Sequence, residues 1–211
     1  NRSAPNVFSS GSTISSTQMN ENFNFLASEI REKEVNCNNG ETISDAINEG
    51  YNSLTIRGNC NGVIAVYKLS PSAYGFSYND MPKKPISYLV IKGFNNDKSD
   101  TITTPSGGFD FFVDDSYLQL SGITLNLGED FYIGSSFLRT KNVEINGKLK
   151  LSRSSTGDIE DSTINGEVNV RESSSLPLSD STINGEIDIE HNSSVKTVSY
   201  THLTLPTTLV V

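Results

Sequence analysis

Asp161, Glu167, Asp180, Glu186, Asp188 and Glu190 lie close together late in the 211-residue chain, with Asn169 and Arg171 among them. Paired carboxylates are the equipment of glycoside hydrolysis: one protonates the leaving oxygen while the other activates water or attacks the sugar. Carboxylates holding a cation beside an Arg or Lys base would suit lyase chemistry instead. Carboxylates stacked about 5 Å apart, as Glu167 over Glu186 would be, could also attract Ca²⁺. His191 adds one imidazole, placed in a predicted turn where a solvated role is the default.

A regular repeat already accounts for these acids. Asn146-Gly147, Asn165-Gly166 and Asn184-Gly185 recur 19 residues apart. Laid in register, Ile145, Ile164 and Ile183 form one apolar column; Leu149, Val168 and Ile187 a second; Leu151, Val170 and Ile189 a third. The intervening columns are polar: Lys148, Glu167, Glu186; Lys150, Asn169, Asp188; Ser152, Arg171, Glu190. Alternation of period two predicts strands with one buried face, and the longer period predicts stacked coils. A unit of this length is too short for a helical repeat and lacks the L-x-x-L-x-L spacing of leucine-rich repeats. It fits one coil of a parallel β-helix, in which each coil buries its apolar columns against its neighbours. Asn-Gly pairs suit the corners, since both residues tolerate positive φ, and stacked Asn146, Asn165 and Asn184 could bond side chain to side chain. A β-hairpin array also uses Asn-Gly, but has no need of columns matched at a fixed period.

Within that frame the acids need no catalytic explanation. The chain has no nucleophile elbow, phosphate loop, zinc spacing or Gly-rich calcium repeat. No catalytic residue, metal ligand or cofactor is therefore assigned. Glu167, Asn169, Arg171, Glu186, Asp188 and Glu190 are expected to form a possible binding face, with Ca²⁺ as a weak alternative occupant.

The net charge of −9 and pI of about 4.7 argue against nucleic acid or an anionic membrane as partner, because phosphate binding needs clustered Lys and Arg. No run of 18 apolar residues predicts a transmembrane helix. The chain opens at Asn1 without Met, which suits a leader removed or lying upstream.

Residues 1–15 read as an extended arm. Residues 16–34 read as an amphipathic helix, with Met19, Phe23, Leu26 and Ile30 on one stripe. That stripe would either hold a homo-oligomer as a short coiled coil or pack on the end of the β-helix. Residues 35–196 read as the β-helix, with an N-terminal cap at 35–62 and coils of about 19 residues over 141–194. In the cap, Val35–Cys37 and Leu54–Arg57 read as strands. Thr42–Glu49 reads as a short helix with Thr42 as its cap and Ile43, Ala46 and Ile47 inward. Cys37 and Cys60 flank this unit. A disulfide between them would contribute roughly 3 kcal/mol in the chain-entropy model and would suit an oxidising compartment; the alternative is two unrelated buried thiols. Residues 94–116 read as an insertion in a wider coil, with Phe109, Phe111, Phe112 and Tyr117 filling it.

The layout V-x-C, a Gly, a short T-I-x-x-A-I helix and then L-T-I-x-G-x-C resembles the opening of secreted bacterial right-handed parallel β-helix proteins of the pectin-lyase-like class. The segment NVFSSGSTISSTQMNENFNFL is similar to one found upstream of such domains in secreted or surface proteins of Gram-negative bacteria. The resemblance implies an all-β, right-handed parallel β-helix capped by a short helix, and a secreted or cell-surface location. The class holds polysaccharide lyases and hydrolases as well as adhesins and phage tailspikes, so the fold does not choose a function. Binding is the first expectation, to a polysaccharide or cell-surface glycan in adhesion, matrix or receptor recognition. The alternative is a polysaccharide lyase or glycoside hydrolase whose catalytic coils lie beyond residue 196. Finally, Thr197–Thr207 resembles a translated sequencing adapter, so residues 197–211 are expected to be a non-native tail on a truncated chain.

Overall fold

A computed structural model of the chain describes residues 30–68, 85–104 and 109–198. Eighteen strands, β1 to β18 in chain order, and one short α-helix, α1 (Ile43–Asn48), lie among those residues. They wind into an all-β parallel solenoid. One sheet takes a single strand from each coil: β1 (Glu32–Asn36), β2 (Ser53–Arg57), β5 (Tyr88–Gly93), β8 (Tyr117–Ser121), β10 (Phe137–Lys141), β12 (Thr156–Glu160), β15 (Ser175–Ser179) and β18 (Ser194–Val198). The second sheet has two ladders side by side. The first holds β3 (Asn59–Asn61), β6 (Asp100–Thr103), β13 (Thr163–Asn165) and β16 (Thr182–Ile183). The second holds β4 (Ile64–Tyr67), β7 (Phe109–Asp114), β14 (Val168–Val170) and β17 (Ile187–Ile189). Long strands β9 (Ile123–Gly134) and β11 (Glu144–Ser152) run through both ladders and bulge between Asn146 and Lys148. Each coil thus presents three faces, here called I, II and III in chain order.

The register is the one the repeat demands. Ile145 pairs with Ile164, Leu149 with Val168 and Leu151 with Val170, and each next coil continues the column. Parallel in-register stacking turns the aliphatic columns inward, so one continuous core runs from Val35 to Ile183. Face I turns into face II at a left-handed residue, Asn142, Asp161 or Asp180 in successive coils. Face III turns into face I through two left-handed residues, Arg153-Ser154, Glu172-Ser173 and His191-Asn192. Asn and Asp suit such corners because their short side chains tolerate that region. The corner between faces II and III needs glycine for a different reason. A Cβ on Gly166 would sit 2.2 Å from the Gly147 carbonyl oxygen, and one on Gly185 2.1 Å from that of Gly166.

Two polar ladders pin the corners. Asn146 Nδ2 donates to Asn126 Oδ1 at 2.9 Å, Asn165 to Asn146 at 2.8 Å and Asn184 to Asn165 at 2.8 Å. At the other corner the main-chain N–H of Ser116, Ser136, Ser155 and Ser174 donates to the hydroxyl of Ser136, Ser155, Ser174 and Ser193 respectively. Ser136 and Ser155 pass their own hydroxyl protons to the carbonyls of Gly134 and Ser152. Buried hydroxyls are thereby satisfied in both senses, as low-dielectric surroundings require.

The N-terminal cap follows the expected layout. Thr42 caps α1 by accepting from the Asp45 N–H, and Ile43, Ala46 and Ile47 are buried. Cys37 and Cys60 pair across the cap with Cα atoms 5.0 Å apart. Three boundaries move. Glu32, Lys33 and Glu34, expected at the end of the amphipathic helix, belong to β1, because their backbone pairs with Ser53–Thr55 of β2; residues 1–29, with the rest of the expected arm and helix, lie outside the described residues. Residues 94–116 are no simple insertion: β6 and β7 lie within them and continue faces II and III of the coil. Thr197 and Val198 complete β18 by pairing with Leu178 and Ser179, two residues past the expected edge of the solenoid, since strand pairing is a backbone matter; the tail beyond them is outside the described residues.

Candidate functional site

The expected binding residues come together on the outside of face III. Register places Lys148, Glu167 and Glu186 in one row along the axis, Lys150, Asn169 and Asp188 in the next, and Ser152, Arg171 and Glu190 in the third. Their charges largely answer one another. Lys148 meets Glu167 at 2.6 Å, and Lys150 meets Asp130. Arg171 meets Asp188 at 2.7 Å and Glu190 at 3.3 Å. Arg153 crosses over Gly134 to reach the buried carboxylate of Asp114. The Lys148 ammonium holds the Glu167 carboxyl below the usual carboxylate range, with help from Asn169. Asp188 in turn raises Arg171 above its ordinary value. Groups that already neutralise each other offer less to a ligand. Glu186 is the member with no ion pair among the described residues.

Asn169 is not the exposed group its row predicts. It is 4% exposed, its Nδ2 donates to Glu167 at 2.9 Å, and its Oδ1 is enclosed without a hydrogen-bond partner among the described residues. Asp161 and Asp180 sit at left-handed corners rather than on face III. Their place in the repeat is conformational. His191 occupies the corresponding corner at the other edge, with its side chain 72% exposed and Glu190 3.5 Å away. No group of three or more His, Cys, Asp or Glu side chains suited to a metal ion lies among the described residues.

Face I carries a row of outward-facing aromatic rings. Tyr117 was expected inside the wider coils; it points outward and stacks between Tyr88 and Phe137. The ring centroids are 5.1 Å and 5.5 Å apart, and the planes lie 10° and 1° from parallel. Strand register causes this, since Tyr88, Tyr117 and Phe137 occupy one column of β5, β8 and β10. Tyr88 is 38% and Phe137 36% exposed. Burial, and then neighbouring Tyr88, push the Tyr117 phenol upward, so its hydroxyl stays protonated and donates to Gln119 Oε1 at 3.1 Å. The adjacent column holds Gln119, Arg139 and Asp158, the last two 3.5 Å apart and both well exposed. Of the other aromatics, Phe111 fills the core as expected, while Phe112 stacks on Tyr132 in a separate cluster outside β4. The signal for the face I row was in the sequence: an aromatic at the first position of three successive face I strands.

No helix among the described residues is long and apolar enough to cross a membrane. No protein-family model matches the chain, and no curated protein or solved structure is significantly similar to it.

Proposed function

We propose that the chain is an extracellular or cell-surface β-solenoid, right-handed and of the pectin-lyase-like type, that acts by binding a glycan along face I. One observation carries this reading: the exposed Tyr88–Tyr117–Phe137 row lies beside a column of Gln119, Arg139 and Asp158. Sugars are bound by apolar ring contact combined with a few fixed donors and acceptors, and this face offers both. The rings cover one another, so the ring edges and the end faces of Tyr88 and Phe137 are what a ligand would meet. A cap cross-linked by Cys37 and Cys60 favours an oxidising compartment. The charged rows of face III are better suited to holding coils in register than to binding, because their charges pair internally.

The test is a titration against a panel of acidic and neutral polysaccharides, for the natural chain and for Phe137→Ala and Arg139→Ala. Binding weakened about tenfold or more by either change supports the reading. Binding that ignores both changes but is lost with Arg171→Ala would move the site to face III. Polymer cleavage that disappears with Asp188→Ala would replace binding by the lyase or hydrolase alternative.

A further inference from the structure

The three Asn-Gly pairs of the repeat are alike in sequence but not in surroundings. Ser162–Glu167 and Ser181–Glu186 carry the same six residues, Ser-Thr-Ile-Asn-Gly-Glu. Asn165 is held at both ends of its side-chain amide: its Nδ2 donates to Asn146 and Glu144, and its Oδ1 accepts from Asn184. Asn146 is held likewise, by Asn126 and Asn165. Asn184 is the last rung among the described residues. Its Nδ2 donates to Asn165 at 2.8 Å, but its Oδ1 accepts from no group among the described residues, and the side chain is exposed. The Gly185 N–H makes no hydrogen bond among the described residues. The two Asn-Gly pairs of the cap differ again. There the Gly40 and Gly62 N–H groups donate to the Cys37 and Thr103 carbonyls, both at 3.1 Å.

We propose that Asn184 is a site of spontaneous deamidation, and that the ladder protects Asn146 and Asn165 from the same reaction. The chemistry is the attack of a main-chain nitrogen on the preceding side-chain amide, which glycine permits because no Cβ obstructs it. The Gly185 nitrogen gives its proton to solvent base and forms a bond to Cγ of Asn184. The Cγ–Nδ2 bond breaks, and ammonia leaves with a proton from solvent. Water then opens the cyclic imide at either carbonyl, giving Asp or isoaspartate. One water is consumed and one ammonia released, and nothing is oxidised. Attack requires the amide to leave its rung. Asn184 must break one side-chain hydrogen bond, whereas Asn165 must break those it makes to Asn146, Glu144 and Asn184. The product carboxylate cannot donate to Asn165 Oδ1 and sets oxygen against oxygen, so the last rung is lost and β16 loosens.

The identical hexapeptides supply an internal control. The full chain is held folded in mildly alkaline buffer, digested, and the acid form at each Asn quantified by mass spectrometry; a denatured sample is run in parallel. Conversion at Asn184 is expected to be at least roughly tenfold faster than at Asn165 in the folded chain, since Asn165 must break two more hydrogen bonds, and equal to it in the denatured chain. In Asn184→Ala the open rung moves back one coil, and Asn165 should then convert faster than in the natural chain. Equal rates in the folded chain, an absence of conversion at Asn184, or an Asn165 rate untouched by Asn184→Ala would each overturn the proposal.

Discussion

The two ends of the described solenoid finish their apolar columns differently. At the N-terminal end α1 lays Ile43, Ala46 and Ile47 over the core, the cysteine pair ties the turn after β1 to β3, and the outer edge strand carries Glu32, Lys33 and Glu34. Charges on an edge strand discourage further pairing. At the other end Val168 and Val170 are fully buried, but their successor Ile187 is half-buried and Ile189 is 47% exposed. A solenoid gains stability from each coil's contacts with its neighbours, so a coil whose apolar columns are less buried holds less well than one whose columns are fully buried. Identical repeats therefore need not be equally stable; position along the stack decides.

Core truncation at the two ends should separate them most strongly. Ile47→Ala beneath the cap should cost about 2–5 kcal/mol, against less than about 1 kcal/mol for Ile189→Ala, both read from denaturant midpoints. Equal costs would break the comparison. Replacing Cys37 and Cys60 by Ser should remove about 3 kcal/mol through the unfolded chain, seen as a lower melting temperature that reductant no longer changes. Thr42→Ala deletes the α1 cap and should cost about 1 kcal/mol by the same measurements.

The smallest effect belongs to pH. Lys148 depresses the folded-state value of Glu167, so the pair's contribution is complete above the ordinary glutamate range and fades as pH falls through the lowered value. Lys148→Met should therefore raise the pH at which the chain begins to unfold in an acid titration. A midpoint unchanged by that substitution would show the pair to be idle.

The sequence announced the architecture because the repeat states it twice, once in alternation and once in period. Ile145, Ile164 and Ile183 could share a column only if coils stacked in register, and the Asn rungs followed from the same alignment. The serine ladder through Ser116, Ser136, Ser155, Ser174 and Ser193 was equally periodic but was hidden among the chain's many other serines. Coils of unequal length concealed β6 and β7, because the glycine-to-glycine period lengthens to 29 residues between Gly93 and Gly122. The residues of the candidate face do share face III, although Asn169 is buried there. The chemistry of that face was not legible, since whether Arg171 answers a ligand or Asp188 depends on distances between coils that no column of letters contains. The burial of Asn169 is likewise set by the packing between coils and not by its place in the alternation.

Native-state hydrogen exchange, read amide by amide, tests the central claim most directly, namely that the stack is held more firmly at its N-terminal cap than in the last of the described coils. Main-chain amides of β2, β5 and β8 should exchange only through global unfolding, while those of β16, β17 and β18 exchange through local opening at least about tenfold faster. Uniform protection from β2 to β18, or slower exchange in the last coil than in the first, would contradict the account.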